Sequence, residues 1–174
     1  WLYLVGALLG FRSWRDRESL KLRLDDVELL HRAGANLAGT LDLGEVVRRF
    51  RAILRELLEF ESMLVIVRDP GERSPQVCAF DSSGDRGAPS PELILDTEAR
   101  PEGLFAELSD LLVFTRDLAG VDPASIRLRL DVAATRALPT QRLVLLETVC
   151  QQAGAALANA WLYRLANTDP LTGL

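Results

Sequence analysis

Ile126, Leu128, Leu130 and Val132 are apolar, and Arg127, Arg129 and Asp131 between them are charged. Successive side chains of an extended chain point to opposite faces, so this seven-residue run reads as a strand with one face buried and one wetted. A sheet of that kind is commonly antiparallel. Four further segments read as strands of the same sheet. Met63 to Val67 is a β-branched run ending at the turn Asp69-Pro70-Gly71, and Gln76 to Phe80 is its hairpin partner. Leu111 to Phe114 is the third, while Glu92 to Leu95 reads as a short edge strand. The expected class is α+β, an antiparallel sheet flanked by helices.

The helices carry clearer boundaries. Asp42 followed by Glu45 forms a capping box, with Leu41 and Val46 as its hydrophobic staple. The helix that follows buries Val46, Val47, Phe50, Ile53, Leu54, Leu57 and Leu58. Its other face holds Arg48, Arg49, Arg51 and Arg55, read as a solvated face because no aromatics interleave with them. Residues 14–38 read as a charged helix with a narrow apolar stripe. His31 lies beside that stripe as an ordinary helix residue. Pro101 with Leu104, Phe105 and Leu108 predicts another short helix. The last helix starts near Thr140, a candidate N-cap. It carries Leu143, Leu146, Cys150, Ala153 and Leu157 at alternating spacings of three and four, a candidate dimer seam equally compatible with burial inside one chain.

A chain of 174 residues holds one domain plus attachments, and its 48% hydrophobic and 26% charged content is ordinary for a soluble protein. The net charge of −5 argues against nucleic acid as a partner, because phosphate neutralisation needs a basic face. Two cysteines are too few for a disulfide scaffold and point to a reducing, cytoplasmic compartment. With His31 alone, multi-histidine metal sites and most hydrolytic triads are excluded. There is no Gly-rich phosphate loop and no activated nucleophile, so these residues by themselves are not expected to be an enzyme and hold no catalytic or metal residues. The first eleven residues, WLYLVGALLGF, are apolar and are followed by Arg12, Arg15 and Arg17. Residues 1–13 therefore read as the end of a membrane-spanning helix with its arginines on the cytoplasmic side, an anchor to the inner membrane.

The order of elements, with "LLHRAGANLAGTLDLGEVVRRFRAILRELLEFESMLVIVRD" over 29–69 and "LPTQRLVLLETVCQQAGAALANAWLYRLAN" over 138–167, resembles a GAF domain. The closing "ANTDPLTGL" resembles the start of a GGDEF domain, the diguanylate cyclase module, with Asp169, Leu171, Thr172 and Leu174 matching its opening. The organisation implied is a linker helix at 14–40, a GAF-like core at 41–138, a closing helix at 139–167 and the first GGDEF residues at 168–174.

What the resemblance implies is a regulatory sensor and dimerisation module controlling a cyclase that condenses two GTP into cyclic di-GMP with magnesium. The alternative is a ligand-independent dimer scaffold, or a cyclic di-GMP receptor with a degenerate GGDEF domain. GTP and magnesium belong to the downstream domain, and no cofactor is implied within this chain. The implied partner is a second copy through the exit helix. A small-molecule ligand would be lined by Phe80, Phe105, Phe114, Arg127 and Arg129, although core packing and solvated strand positions are the commoner roles of such residues. The cyclic-nucleotide signature of some relatives is missing. Neither Cys78-Ala79 nor Cys150-Gln151 suits bilin attachment. The short 111–138 region points to a reduced or absent pocket.

Overall fold

A computed structural model describes residues 26–68, 74–81, 84, 87–100, 102–108, 111–121, 124–133 and 140–167, with the backbone alone at 103–108, 119–121 and 124. The chain divides into two units, Trp1–Arg32 and Ala33–Leu174. Residues 26–38 are helical (α1), and those from Ala33 onward belong to the larger unit. In that unit follow α2 (Leu43–Leu57), β1 (Ser62–Arg68), β2 (Gln76–Asp81), α3 (Pro91–Ala99), β3 (Gly103–Leu108), β4 (Leu111–Val121), β5 (Ala124–Ala133) and α4 (Thr140–Asn167). The five strands form one antiparallel sheet in the order β2-β1-β5-β4-β3.

Register assigns every side chain a face. Leu64 lies opposite Ala79 and Arg129, and Thr115 opposite Arg129, so these share one face. Met63, Phe80, Leu130 and Phe114 share the other. The second is the core face: Arg51 of α2 lies over Phe80, and Arg116 of β4 pairs with Glu147 of α4. Six apolar residues of α2 are buried here with Leu146, Val149, Cys150, Ala153, Leu157, Ala160 and Trp161 of α4. The first face is covered by α3, whose Leu93 and Ile94 pack on Leu64, Ile66 and Ala79.

The hairpin β1–β2 and the strands at 111 and 126 form as the sequence predicts. Two segments exchange roles. Residues 92–95 are helical, because Ser90 caps the helix by accepting from the Leu93 N–H at 3.3 Å and Pro91 opens it. Leu104, Phe105 and Leu108 lie in strand β3, not a helix. A six-residue apolar pattern does not choose between the two, and pairing with β4 decides.

The helix entry at Asp42 is only partly as predicted. Asp42 Oδ1 accepts from the Glu45 N–H at 2.6 Å. Glu45 turns instead to Arg49 and Arg48, which hold its carboxyl below the usual range, and the Asp42 N–H donates to Thr40 Oγ1. Leu41 is 46% exposed. The arginine row is not simply solvated. Arg51 and Arg55 both donate to the Asp81 carbonyl at 3.1 Å, tying α2 to the end of β2, and Arg49 donates to the Asn36 carbonyl.

Candidate functional site

The charged face of β5 is not wet. Arg129 and Asp131 are 4% and 6% exposed, because β5 is central in the sheet and α3 lies over it. Burying a charge is costly unless it is paired. Arg129 is paired twice, to Asp131 Oδ1 at 2.8 Å and to Asp96 Oδ2 of α3 at 2.6 Å. Asp131 Oδ2 in turn accepts from Ser62 Oγ at 2.6 Å. Arg100 completes the chain of ion pairs on Asp96.

Arg127, two residues away on the same face, secures the far end of α3. Its Nη1 donates to the carbonyls of Thr97, Glu98 and Arg100, placing a cation where the helix leaves carbonyls without partners. Its Nε and Nη2 donate to Asp117 of β4, which raises the guanidinium's already high pKa. Arg68 of β1 grips Glu98 with two 2.7 Å hydrogen bonds. Three sheet arginines thus hold a helix that buries only Thr97 fully.

Beside this clamp lies a cleft of about 320 Å³, lined by Ile66, Arg68, Glu98, Asp117, Ser125 and Arg127. Its two cations and two carboxylates alternate and cancel. A second cavity of about 250 Å³ lies between residues 34–41 and α4, lined by Gly34, Leu37, Ala38, Gln152, Ala155 and Asn159 among others. The strands β4 and β5 form a long hairpin and furnish half of the residues that line the first cleft.

The five pocket candidates do not come together. Phe80 and Phe114 are buried on the core face, whereas Arg127 and Arg129 are on the α3 face, one lining the cleft and the other buried beneath the helix. The side chain of Phe105 is outside the description. Arg68, Glu98, Asp117 and Ser125 carry no local sequence signal. The strand pairings Arg68 with Ser125 and Asp117 with Arg127, and the ion pair of Arg68 with Glu98 of α3, assemble them. The proposed seam is likewise taken: Leu146, Cys150, Ala153 and Leu157 are buried within the chain, and Leu143 is half-buried. Burial pushes the Cys150 thiol up to about 12, so it acts as a small hydrophobe.

Among the described residues no group of three or more His, Cys, Asp or Glu is placed to hold a metal. None of the described helices is long and apolar enough to cross a membrane, and residues 1–11 and 168–174 lie outside the description.

No family model and no curated protein matches this sequence. Solved structures do. The GAF domain of a putative sensor histidine kinase from Pseudomonas syringae pv. tomato superposes with a TM-score of 0.54 at 15% identity, covering 86% of this chain and 94% of that one. The fold is GAF-like. The GAF domain of an Acinetobacter phosphoenolpyruvate-protein phosphotransferase superposes on this GAF-like chain with a TM-score of 0.51 at 10% identity, over 78% and 94% of the two chains. CepR2, an N-acylhomoserine lactone dependent LuxR family transcription factor from Burkholderia cenocepacia, gives 0.52 at 14%, over 82% and 99%.

The clamp carries a pH signature. Arg100, and then Arg129, hold the Asp96 carboxyl below its ordinary value of 3.8. A carboxylate with a depressed folded pKa adds stability above its unfolded pKa and loses it as pH falls through the folded one. Asp96→Asn is therefore expected to be less stable than the native chain at pH 7, with the gap closing below about pH 4. Urea midpoints of both proteins across pH 7 to 3 check this.

Proposed function

We propose that the chain is a regulatory sensor module whose output leaves through α4, and that it controls a diguanylate cyclase domain beginning at residues 168–174. The observation that carries this reading is the two-sidedness of α4. Its inner face, from Leu145 to Trp161, is built into the domain, whereas residues 162–167 are all exposed. A helix built into the domain over one stretch and exposed over the next can carry a shift of the sheet to a following domain. The likeness to GAF domains of signalling proteins and to a ligand-dependent transcription factor supports the sensor role. The "ANTDPLTGL" resemblance supports the cyclase, for which GTP and magnesium are the substrate and metal.

Two GTP-loaded cyclase domains must meet, so the module is expected to pair. The seam left for a second copy is the outer stripe Val144, Thr148, Gln151, Ala155, Ala158, Leu162 and Leu165, spaced four and three alternately. Val144, Leu162 and Leu165 are 61%, 49% and 45% exposed. The stripe bears no charge, so a parallel copy meets no like-charge repulsion. One observation favours the ligand-independent scaffold as a second reading: the charges beneath α3 already satisfy one another.

The paired variant Val144→Glu/Leu162→Glu tests the seam. The native chain is expected to sediment as a dimer and the variant as a monomer with an unchanged circular dichroism spectrum. In a protein carrying the following domain, the variant is expected to lose GTP turnover together with dimerisation. A variant that dimerises like the native chain overturns the seam, and native protein that makes no cyclic di-GMP overturns the cyclase.

A further inference from the structure

We propose that the cleft at Arg68, Glu98, Asp117, Ser125 and Arg127 binds a small zwitterion of the neutral α-amino-acid type, with its carboxylate on Arg68 and its ammonium on Asp117. This rests on the sensor reading above and names the ligand class. The lining holds two guanidinium groups and two carboxylates, so it presents no net charge to attract an ion of either sign. Both walls are ion pairs, Arg68 with Glu98 and Arg127 with Asp117, so a ligand with a single charge leaves the cleft with a net charge. A zwitterion adds a charge of each sign and keeps the cleft neutral.

The groups retain capacity for it. The pair with Glu98 takes two of the five N–H groups of the Arg68 guanidinium. Asp117 accepts one hydrogen bond from Arg127 on each oxygen, and each carboxylate oxygen has two acceptor sites. Both side chains are about half exposed, so a ligand reaches them without opening the clamp. Ser125 adds a hydroxyl, and buried Ile66 gives an apolar floor suited to a short side chain. The four charges disfavour a long acyl tail.

The site also has a route to α4. Asp117 immediately precedes a β-bulge, where the β4–β5 register slips by one residue at Leu118. The Leu118 carbonyl lies so close to Gly154 of α4 that a Cβ built there would be 1.9 Å from its oxygen. A ligand drawing on Asp117 therefore acts one residue from the contact that fixes the output helix, a contiguous physical path through the sheet.

Thermal unfolding of the 174-residue chain tests this with alanine, its amine-less analogue propionate and its carboxylate-less analogue ethylamine, followed by the other neutral amino acids. At least one neutral amino acid is expected to raise the midpoint by on the order of 5 °C at about one hundred times its Kd. Propionate and ethylamine at the same concentration are expected to do nothing. Arg68→Met, a substitution at an exposed strand end, is expected to keep the fold and abolish the shift, which also controls for general solute effects. Hydrogen exchange at Leu118 is expected to slow with the ligand in the native chain and not in Arg68→Met. No shift with any neutral amino acid, or an equal shift with either single-charge analogue, overturns the proposal. The sedimentation of Val144→Glu/Leu162→Glu does not depend on this result, so failure of the ligand and failure of the output seam are read separately.

Discussion

Gly154→Ala is expected to destabilise the domain by about 3 kcal/mol, as a lower urea midpoint. Most helical glycines gain from alanine, which removes about 0.5 to 1 kcal/mol of backbone-entropy cost. Here the added carbon would meet the Leu118 carbonyl oxygen at 1.9 Å and its carbon at 2.8 Å. Both are backbone atoms of a paired strand, so relief requires α4 to lift from β4 or the bulge to straighten. Either movement opens the layer in which Val149, Cys150, Ala153 and Leu157 are buried. Gly34→Ala is the internal control. Its nearest neighbour is the Gln152 side-chain end at 3.6 Å, an ordinary contact, so it is expected to be neutral or to gain about 0.5 kcal/mol. Equal effects at the two glycines would refute the tight seating of α4 on the bulge.

Arg129→Met is expected to cost about 3 kcal/mol, the usual penalty for removing one member of a buried ion pair. The loss comes less from the missing attraction than from Asp131, left as a carboxylate 6% exposed with the Ser62 hydroxyl as its remaining partner from this network. Asp96 keeps Arg100 and is itself part-exposed, so it suffers less. Adding Asp131→Asn to Arg129→Met is expected to recover a substantial part of the loss, since the stranded charge disappears. Urea unfolding of the two single variants and the double variant measures the coupling. Additive losses would mean that the arginine contributes through packing of its stem and not through the pair.

Much of the fold was legible because hydrophobic periodicity is local. The alternation Ile126 to Val132, the β-branched run at Met63 to Val67 and the wide apolar face of Val46 to Leu57 each name their element and its buried side. The exchange at 92–95 and 103–108 came from short runs in which apolar content does not separate strand from helix. The Ser90-Pro91 start signal was present and outweighs it. The candidate site was legible in part. Arg127 was named, but Phe80 and Phe114 were grouped with it although the register sends them to the opposite face.

By itself, then, the sequence determined the class of fold, the strand that anchors it and the helix that leaves it, since burial periodicity within a segment needs no knowledge of its neighbours. Tertiary structure decided which charges are buried, which stripe of α4 the domain leaves uncovered and which residues line the cleft. Two heptad-like stripes run along α4, and the domain covers the one from Leu146 to Ala160. Arg68 meets Ser125 across strands distant in sequence, and Asp117 meets Arg127 across the β4–β5 hairpin. Such pairings follow from strand register and helix placement, which are set by the packing of the whole sheet and not by any one segment.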